Sequence, residues 1–302
     1  MIKKNKNIKI VGITLKPNST PEFYRLLPNL CAWLLKRQKQ VVFKVDEQER
    51  IHKFFKNKST ESLSFWSTTK FHNKVDVMFS LGGDGTLIGV CRRINRKIPV
   101  LGINLGRLGF ITEFNQNEYF DKLSEILAGN FEVTVKPLCH VSIIRKGLLH
   151  FQDYFFNDAV LAKNDIARMI YIRAEYHSEH IYNLAGDGII ISTPMGSTAY
   201  SMAAGGPIVH PDVDCLVLTP ICPHSLIHRP FVVPNTNPIS LKILPPHHSM
   251  TLTIDGQVAI NIDEQDQVLI NSSKMKKISL IKNPDRFYFE TIRDKFLTNK
   301  KD

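Results

Sequence analysis

VDVMFSLGGDGT, running from Val75 to Thr86, decides the reading of the chain: an apolar run breaks into three glycines around one carboxylate. Val75, Val77, Phe79 and Leu81 have the near-continuous hydrophobicity of a strand buried in a parallel sheet. Gly82, Gly83 and Gly85 have no Cβ, so the backbone can turn sharply there and let a ligand approach. Beyond the loop, Leu87, Val90 and Ile94 fall on one helical face, so the loop opens a helix. A helix start, with free N–H groups and the positive end of the dipole, is an anion site. Asp84 then stands where a phosphate and a hydroxyl meet. An Asp between glycines also suits a plain left-handed turn, and so short a motif leaves both readings open.

Working outward, Asn7 to Leu15 reads as a central strand stopped by Lys16-Pro17-Asn18. A helix opens near Pro21 and carries Leu26, Leu27, Leu30, Leu34 and Leu35 at helical spacing. Val41 to Val45 is a second strand. Strand, helix, strand and then the glycine loop is the grammar of an open α/β sheet, whose ligands lie beyond the carboxyl ends of its strands. Glu47 to Asn73 is polar, with a Ser/Thr-rich middle from Ser59 to Thr69, and reads as a helix plus a loop. Pro99 to Asn104 is another short strand, feeding a second glycine-bearing crossover, and Tyr119 to Leu127 a helix ended by Gly129-Asn130.

After Phe131 the grammar changes. Short apolar runs recur at regular spacing between turn signals, from Glu132 to Lys136 through to Lys277 to Ile281, with Asp153 to Ala162 as one run. These indicate an all-β, sandwich-like domain. A closing helix from Pro284 carries Phe287, Ile292 and Phe296, which need a core and are expected to pack back on the first domain. The expected division is therefore an α/β domain over 1–128, completed by 285–302, and a β-rich domain over 129–284.

The length of 302 residues suits two ordinary domains, and 43% hydrophobic residues suffice for their cores. A net charge of +11 favours anionic ligands such as nucleotides. The one basic cluster, around Lys3, Lys4 and Lys6, lacks interleaved aromatics and reads as a solvated tail, which weighs against nucleic acid. Five cysteines without a C-x-x-C pair point to reduced thiols in a cytoplasmic protein. No signal peptide or membrane span is apparent.

A second dense stretch, GDGIIISTPMGSTAYSMAAGGPIV, begins at Gly186. Its small residues permit close approach to a flat ligand, and Ser192, Thr193, Ser197, Thr198 and Tyr200 offer neutral donors. Pro194, Tyr200 and Pro207 argue against a merely flexible loop. His177, His180, His247 and His248 lack the companions of a metal site and read as solvated. Cys222, flanked by prolines, reads as a buried thiol.

Taken together the chain resembles the NAD kinase family along most of its length. The resemblance rests on Gly82-Gly83-Asp84-Gly85-Thr86, Asn104-Leu105-Gly106-Arg107-Leu108-Gly109-Phe110, Asn157-Asp158 and Gly186-Asp187-Gly188. It continues through Ser192-Thr193-Pro194, Gly196 to Tyr200, Gly205-Gly206-Pro207, and the block from Pro220 to Arg229-Pro230. It implies a Rossmann-like, phosphofructokinase-like N-terminal domain, a C-terminal β-domain, an active site between them and a homo-oligomer. It also implies transfer of the ATP γ-phosphate to the adenosine ribose 2′-hydroxyl of NAD with a divalent metal, Mg²⁺ or Mn²⁺. By the same resemblance Asp84 is the catalytic acid-base residue and Gly85 its loop partner, while Asn157 and Asp158 hold the ribose hydroxyls. Arg168, Asp187, Thr198, Ala199, Tyr200, Ser201, Met202, Ala203, Asp255 and Gln257 are further NAD-contacting positions. Asp158 replaces the usual Glu and shortens that reach by one methylene; Ala203 replaces a common Ser.

Residue chemistry agrees with that expectation. A ribose hydroxyl needs its proton accepted and its position fixed before it attacks a phosphate, and Asp84 beside a phosphate-binding glycine loop is the candidate base; whether it orients the hydroxyl, binds the metal, or does both stays open in the sequence. A lipid kinase shares GGDG but leaves the Ser-Thr-Pro-Met-Gly-Ser-Thr-Ala-Tyr block unexplained. A catalytically silent NAD(P) sensor does not account for an intact Asp84.

Overall fold

The computed structural model describes residues 2–297 apart from 5–6, 57, 96, 107–108, 116–118, 165–167, 226 and 247, so the readings of Lys6, Arg107, Leu108, Leu226 and His247 lie outside it. The chain folds as two units, residues 1–136 with 277–302, and residues 137–276.

In the first unit the strands Ile10–Leu15, Gln40–Lys44, Leu63–Trp66, Val77–Leu81 and Pro99–Asn104 pair in parallel. Counted along the chain their spatial order is 3-2-1-4-5, and Ser279 and Leu280 add a sixth parallel strand against Pro99 and Val100. Val77–Leu81 and Pro99–Asn104 are buried at every position, as apolar runs in the middle of a helix-covered sheet must be. Leu27, Leu30 and Leu34 of the helix Phe23–Lys36 join Val11, Ile13, Phe43 and Phe79 in one core. The order reverses between Ile10–Leu15 and Val77–Leu81, the switch point where such sheets bind ligands.

The second unit is built almost wholly of strands. A six-stranded antiparallel sheet runs Phe231–Pro234, Cys215–Ile221, Gly188–Ser192, Asp158–Lys163, Met250–Ile254, Val258–Ile262. Further strands, among them Ile170–Tyr176, Glu179–Gly186 and Ile239–Leu244, contribute Ile172, Leu184 and Leu241 to the same core as Leu161, Ile191 and Leu252.

Several details depart from the sequence reading. The stretch from Glu47 to Asn73 holds the helix Gln48–Phe55, the parallel strand Leu63–Trp66 and the helix Thr68–Lys74. The Ser, Thr and Lys residues that make the stretch polar flank a short apolar strand at the edge of the sheet. Asp153 to Ala162 is not one run: strands end at Phe155 and restart at Asp158. Glu179–Gly186 and Val258–Ile262 are strands absent from the sequence reading; Glu179, His180 and Asn183 in one and Ala259 and Asn261 in the other are exposed. The runs near Glu132 and His140 form one strand, Phe131–Arg145, and those near Gln267 and Lys277 form another, Asp266–Ile281. The final helix is short, Tyr288–Ile292 followed by a π-turn Arg293–Leu297, and Phe287, 60% exposed, finds no core.

Candidate active site

Asp84 is not a turn residue but the first residue of the helix Asp84–Arg93, capped by Gly83 at φ −95°. None of Gly82, Gly83 and Gly85 has a left-handed φ; what they contribute is space. A Cβ on Gly82 would lie 2.3 Å from Thr86 Oγ1, while one on Gly83 or Gly85 would meet nothing within 4 Å. The loop is therefore packed on one side and bare on the other.

The carboxylate is gripped by the second glycine-bearing crossover, to which the sequence assigned no bond with Asp84. Phe110 N–H donates to Asp84 Oδ2 at 2.8 Å; Ile111 N–H, Thr112 N–H and Thr112 Oγ1 donate to Oδ1 at 3.2, 3.0 and 2.8 Å. Asn104 Nδ2 donates in turn to Thr112 Oγ1 at 2.9 Å. Oδ1 is thereby saturated, whereas Oδ2 accepts one bond and keeps a lone-pair direction open. Approach this close requires Gly109, where a Cβ would fall 1.9 Å from Asp84 Oδ1.

In the second unit another carboxylate performs a similar task. Asp255, held at φ +49° in the hairpin turn between Met250–Ile254 and Val258–Ile262, accepts the N–H groups of Phe156, Asn157 and Asp158 at 2.9, 2.7 and 3.1 Å. Thr193 closes the other side: its hydroxyl donates to the Phe156 carbonyl at 2.7 Å, accepts Gly196 N–H at 3.1 Å, and its own N–H reaches the Asn157 carbonyl at 2.9 Å. Gly196 has to be glycine, since a Cβ there would stand 2.1 Å from the Asn157 carbonyl oxygen. Clamped in this way, Asn157 has a buried Oδ1 with no hydrogen-bond partner among the described residues. Burial, and then the charge of Asp255, push the Asp158 carboxyl up to about 7.

The remaining expected positions fall into separate places. Asp158 pairs with Ser192 at one end of Gly188–Ser192, while Asp187 adjoins the other end, where its carboxylate pairs with Lys163 at 2.7 Å. Arg168 is exposed just before Ile170–Tyr176. Thr198 ends a 3₁₀ turn and Tyr200, Ser201, Met202 and Ala203 form one helical turn, with Ala199 between them. Within that run Tyr200 is 47% exposed, but Ser201 is fully buried with its hydroxyl on Thr219 at 2.8 Å. Ser197 likewise spends its hydroxyl on the Pro194 carbonyl and on Val209 N–H. The hydroxyls of Thr193, Ser197 and Ser201 thus brace the run from within. Gln257 is exposed beside Asp255. Cys222 is exposed, not buried, and His180 bonds Asn183 at 3.1 Å.

Models of two protein domains match the chain: ATP-NAD kinase N-terminal domain over residues 11–131 and ATP-NAD kinase C-terminal domain over 156–282. The NAD kinase of Magnetococcus marinus is 34% identical over 94% of this chain and 92% of its own length. That of Solibacter usitatus is 38% identical over 95% and 97%. A yeast NADH kinase solved with NADH shares the fold at a TM-score of 0.87 and 24% identity, covering 98% of this chain and 89% of its own. An Archaeoglobus fulgidus NAD kinase solved with ATP gives 0.70 at 23% identity, with coverage of 94% and 98%. With both domain models in register and relatives aligned along nearly the whole chain, this protein belongs to the ATP-NAD kinase family.

Proposed function

We infer that the protein transfers the γ-phosphate of ATP to the 2′-hydroxyl of the adenosine ribose of NAD, giving NADP. The observation that carries the assignment of roles is the state of Asp84: one oxygen accepting three bonds, the other one, on a helix start where a Cβ on Gly83 or Gly85 would meet none of the described residues. Oδ2 is the proton acceptor for the attacking hydroxyl, and the four donors keep it from rotating away. Gly82, Gly83, Gly85 and Thr86 bring backbone N–H groups and the helix dipole to the phosphates.

Asn157 and Asp158 hold the ribose: Asn157 Oδ1 accepts one hydroxyl and the Asp158 carboxylate the other. Asp255 and Thr193 act through the backbone of 156–158, setting where those two side chains point. Tyr200, Met202 and the small residues Thr198, Ala199 and Ala203 provide a surface for the dinucleotide's flat rings, with Ser201 behind it. Arg168, Asp187 and Gln257 serve more distant groups of the same ligand.

Among the described residues no group of three or more His, Cys, Asp or Glu is gathered as a metal site. A divalent ion, Mg²⁺ or Mn²⁺, suits this chain as a companion of the ATP phosphates, with Asp84 the carboxylate of the loop, rather than as the resident of a protein cage. When bound it offsets phosphate charge. A homo-oligomer in the cytoplasm belongs to the same reading; no helix is long and apolar enough to cross a membrane.

Asp84→Asn tests the assignment. It is expected to lower kcat by about 10²–10⁴-fold, the usual worth of a general base, with the Kd for NAD unchanged. Turnover within threefold of the parent would remove Asp84 from the chemistry.

A further inference from the structure

Gly82 to Thr86 offers N–H groups and a dipole but no cation, whereas transfer from a triphosphate calls for positive charge at the migrating group. The C-terminal segment brings one. After the strand Asp266–Ile281 the chain is fastened next to the residues that grip Asp84: Asn283 N–H donates to Glu113 Oε2 at 2.7 Å, its side-chain amide donates to the Glu113 carbonyl at 3.1 Å, and Lys122 pairs with Asp285 at 2.8 Å. In the turn Arg293–Leu297 the Phe296 ring stacks on Phe110 with centroids 5.3 Å apart, and the Lys295 ammonium lies 4.3 Å from the centre of the Phe110 ring. Phe110 is the residue whose N–H binds Asp84 Oδ2, the oxygen with the open lone pair.

Lys295 thus touches the residue whose N–H binds the reacting carboxylate; desolvation against the turn pulls its ammonium below the ordinary lysine range, and the Asp84 charge pulls the other way. Its side chain is exposed. An aromatic face holds an exposed ammonium only weakly, so the ammonium is free to exchange the ring for phosphate oxygens. Arg286, the other cation acting on Lys295, has its guanidinium on Thr291 Oγ1 at 3.3 Å.

We propose that Lys295 is a phosphate-binding residue of this kinase, reaching from the C-terminal turn to the triphosphate of the donor at the Asp84 loop. The assignment rests on the reading of the loop as the ATP site and adds a second cation beside a loop whose own five residues carry none and whose described neighbour Lys16 packs at Gly82. It explains why a segment with Phe287 60% and Phe289 71% exposed is nonetheless fastened at Glu113, Lys122 and Phe110.

The test compares Lys295→Met, Lys295→Arg and, as a surface control, Lys36→Met. Steady-state kinetics are measured in ATP and in NAD, calorimetry with ATP alone, and inhibition by tripolyphosphate, which has the phosphates without the base. Lys295→Met is expected to raise the KM and Kd for ATP and the Ki of tripolyphosphate each by about tenfold, the worth of one charge-assisted contact. The KM for NAD stays unchanged, and Lys295→Arg recovers most of the loss. Unchanged ATP and tripolyphosphate constants in Lys295→Met would overturn the assignment, as would an Arg variant no better than Met. NADP formation by the parent protein tests the underlying activity separately, and ATP calorimetry decides the role of Lys295 whether or not NADP forms.

Discussion

Replacing Gly109 by Ala is the sharpest way to ask whether the grip of residues 110–112 on Asp84 matters. The added Cβ would sit 1.9 Å from Asp84 Oδ1, 2.5 Å from Asp84 Cγ and 2.4 Å from Thr112 Oγ1. Ordinary contact requires the carboxylate or the backbone of 109–112 to recede by about 1.5 Å. A displacement of only ~1 Å at a reacting group already costs about 10²-fold in rate, or ~2.7 kcal/mol in activation free energy. Overpacking adds ~1–3 kcal/mol of lost stability. Coupled NADP formation with ATP and NAD should therefore show kcat reduced by about two orders of magnitude, a lowered Tm, and an unchanged Kd for NAD. Gly83→Ala and Gly85→Ala provide the contrast. Their methyl groups meet nothing in the fold, so the Tm should hold or rise, and activity falls only through obstruction of an incoming phosphate. A Gly109→Ala enzyme with parental kcat would refute the argument that the four-donor grip aligns Asp84.

Two further outcomes follow from the second unit. The Asp158 carboxyl is raised from its ordinary 3.8 to about 7. The folded state therefore holds that proton more tightly than the unfolded one, and the stability it confers is complete below pH 4 and lost as pH rises through about 7. Asp158→Asn should flatten this decline and gain on the parent above pH 7 by at most ~4 kcal/mol; denaturant curves from pH 4 to 8 decide, and a pH-independent gap between the two proteins would contradict the claim. Because the ionised form accepts ribose hydroxyls, the KM for NAD should fall as pH rises through about 7 in the parent and stay flat in Asp158→Asn. Thr193→Val leaves the Phe156 carbonyl and Gly196 N–H without their hydroxyl partner, each at ~1–3 kcal/mol. It should lower the Tm and raise the KM for NAD while kcat is preserved; an unaltered KM would show that Thr193 does not set the position of Asn157.

What the sequence disclosed, and what it hid, follow from the range of the interactions concerned. Val75 to Thr86 is legible because strand burial, glycine loop and helix start are all local, and the expected strand, loop and helix form there. Leu63–Trp66 and Val258–Ile262 escaped because each is a short edge strand interrupted by a polar residue, Ser64 in one and Asn261 in the other, and so does not read as the unbroken run of a central strand. Local reasoning offered the hydroxyls of Thr193 and Ser197 to a ligand without their internal partners in view: the Phe156 carbonyl and Val209 N–H, 37 and 12 positions away, become neighbours only once the turn and sheet are formed.

The same distinction explains the two clamps. Asp84 and Asp255 each bind three backbone N–H groups, from residues 26 to 28 positions away in one case and 97 to 99 in the other. No spacing rule connects such partners. A carboxylate that accepts several N–H groups does more than carry charge: it fixes a backbone segment that has no regular ladder of its own to join. At Asp84 the gripping segment constrains the reactive oxygen; at Asp255 the carboxylate constrains the segment bearing Asn157 and Asp158. Removing the charge at either position therefore perturbs geometry as well as chemistry. Asp84→Asn still leaves an amide oxygen for the three donors on the Oδ1 side and gives up one bond, to Phe110 N–H, so its loss of turnover reads mainly as lost proton acceptance. Asp255→Asn can serve only one side of its clamp and turns a donor toward either Phe156 or the Asn157–Asp158 pair. Its effect should appear in the KM for NAD, a split between the two variants that two structurally equivalent acids would not produce.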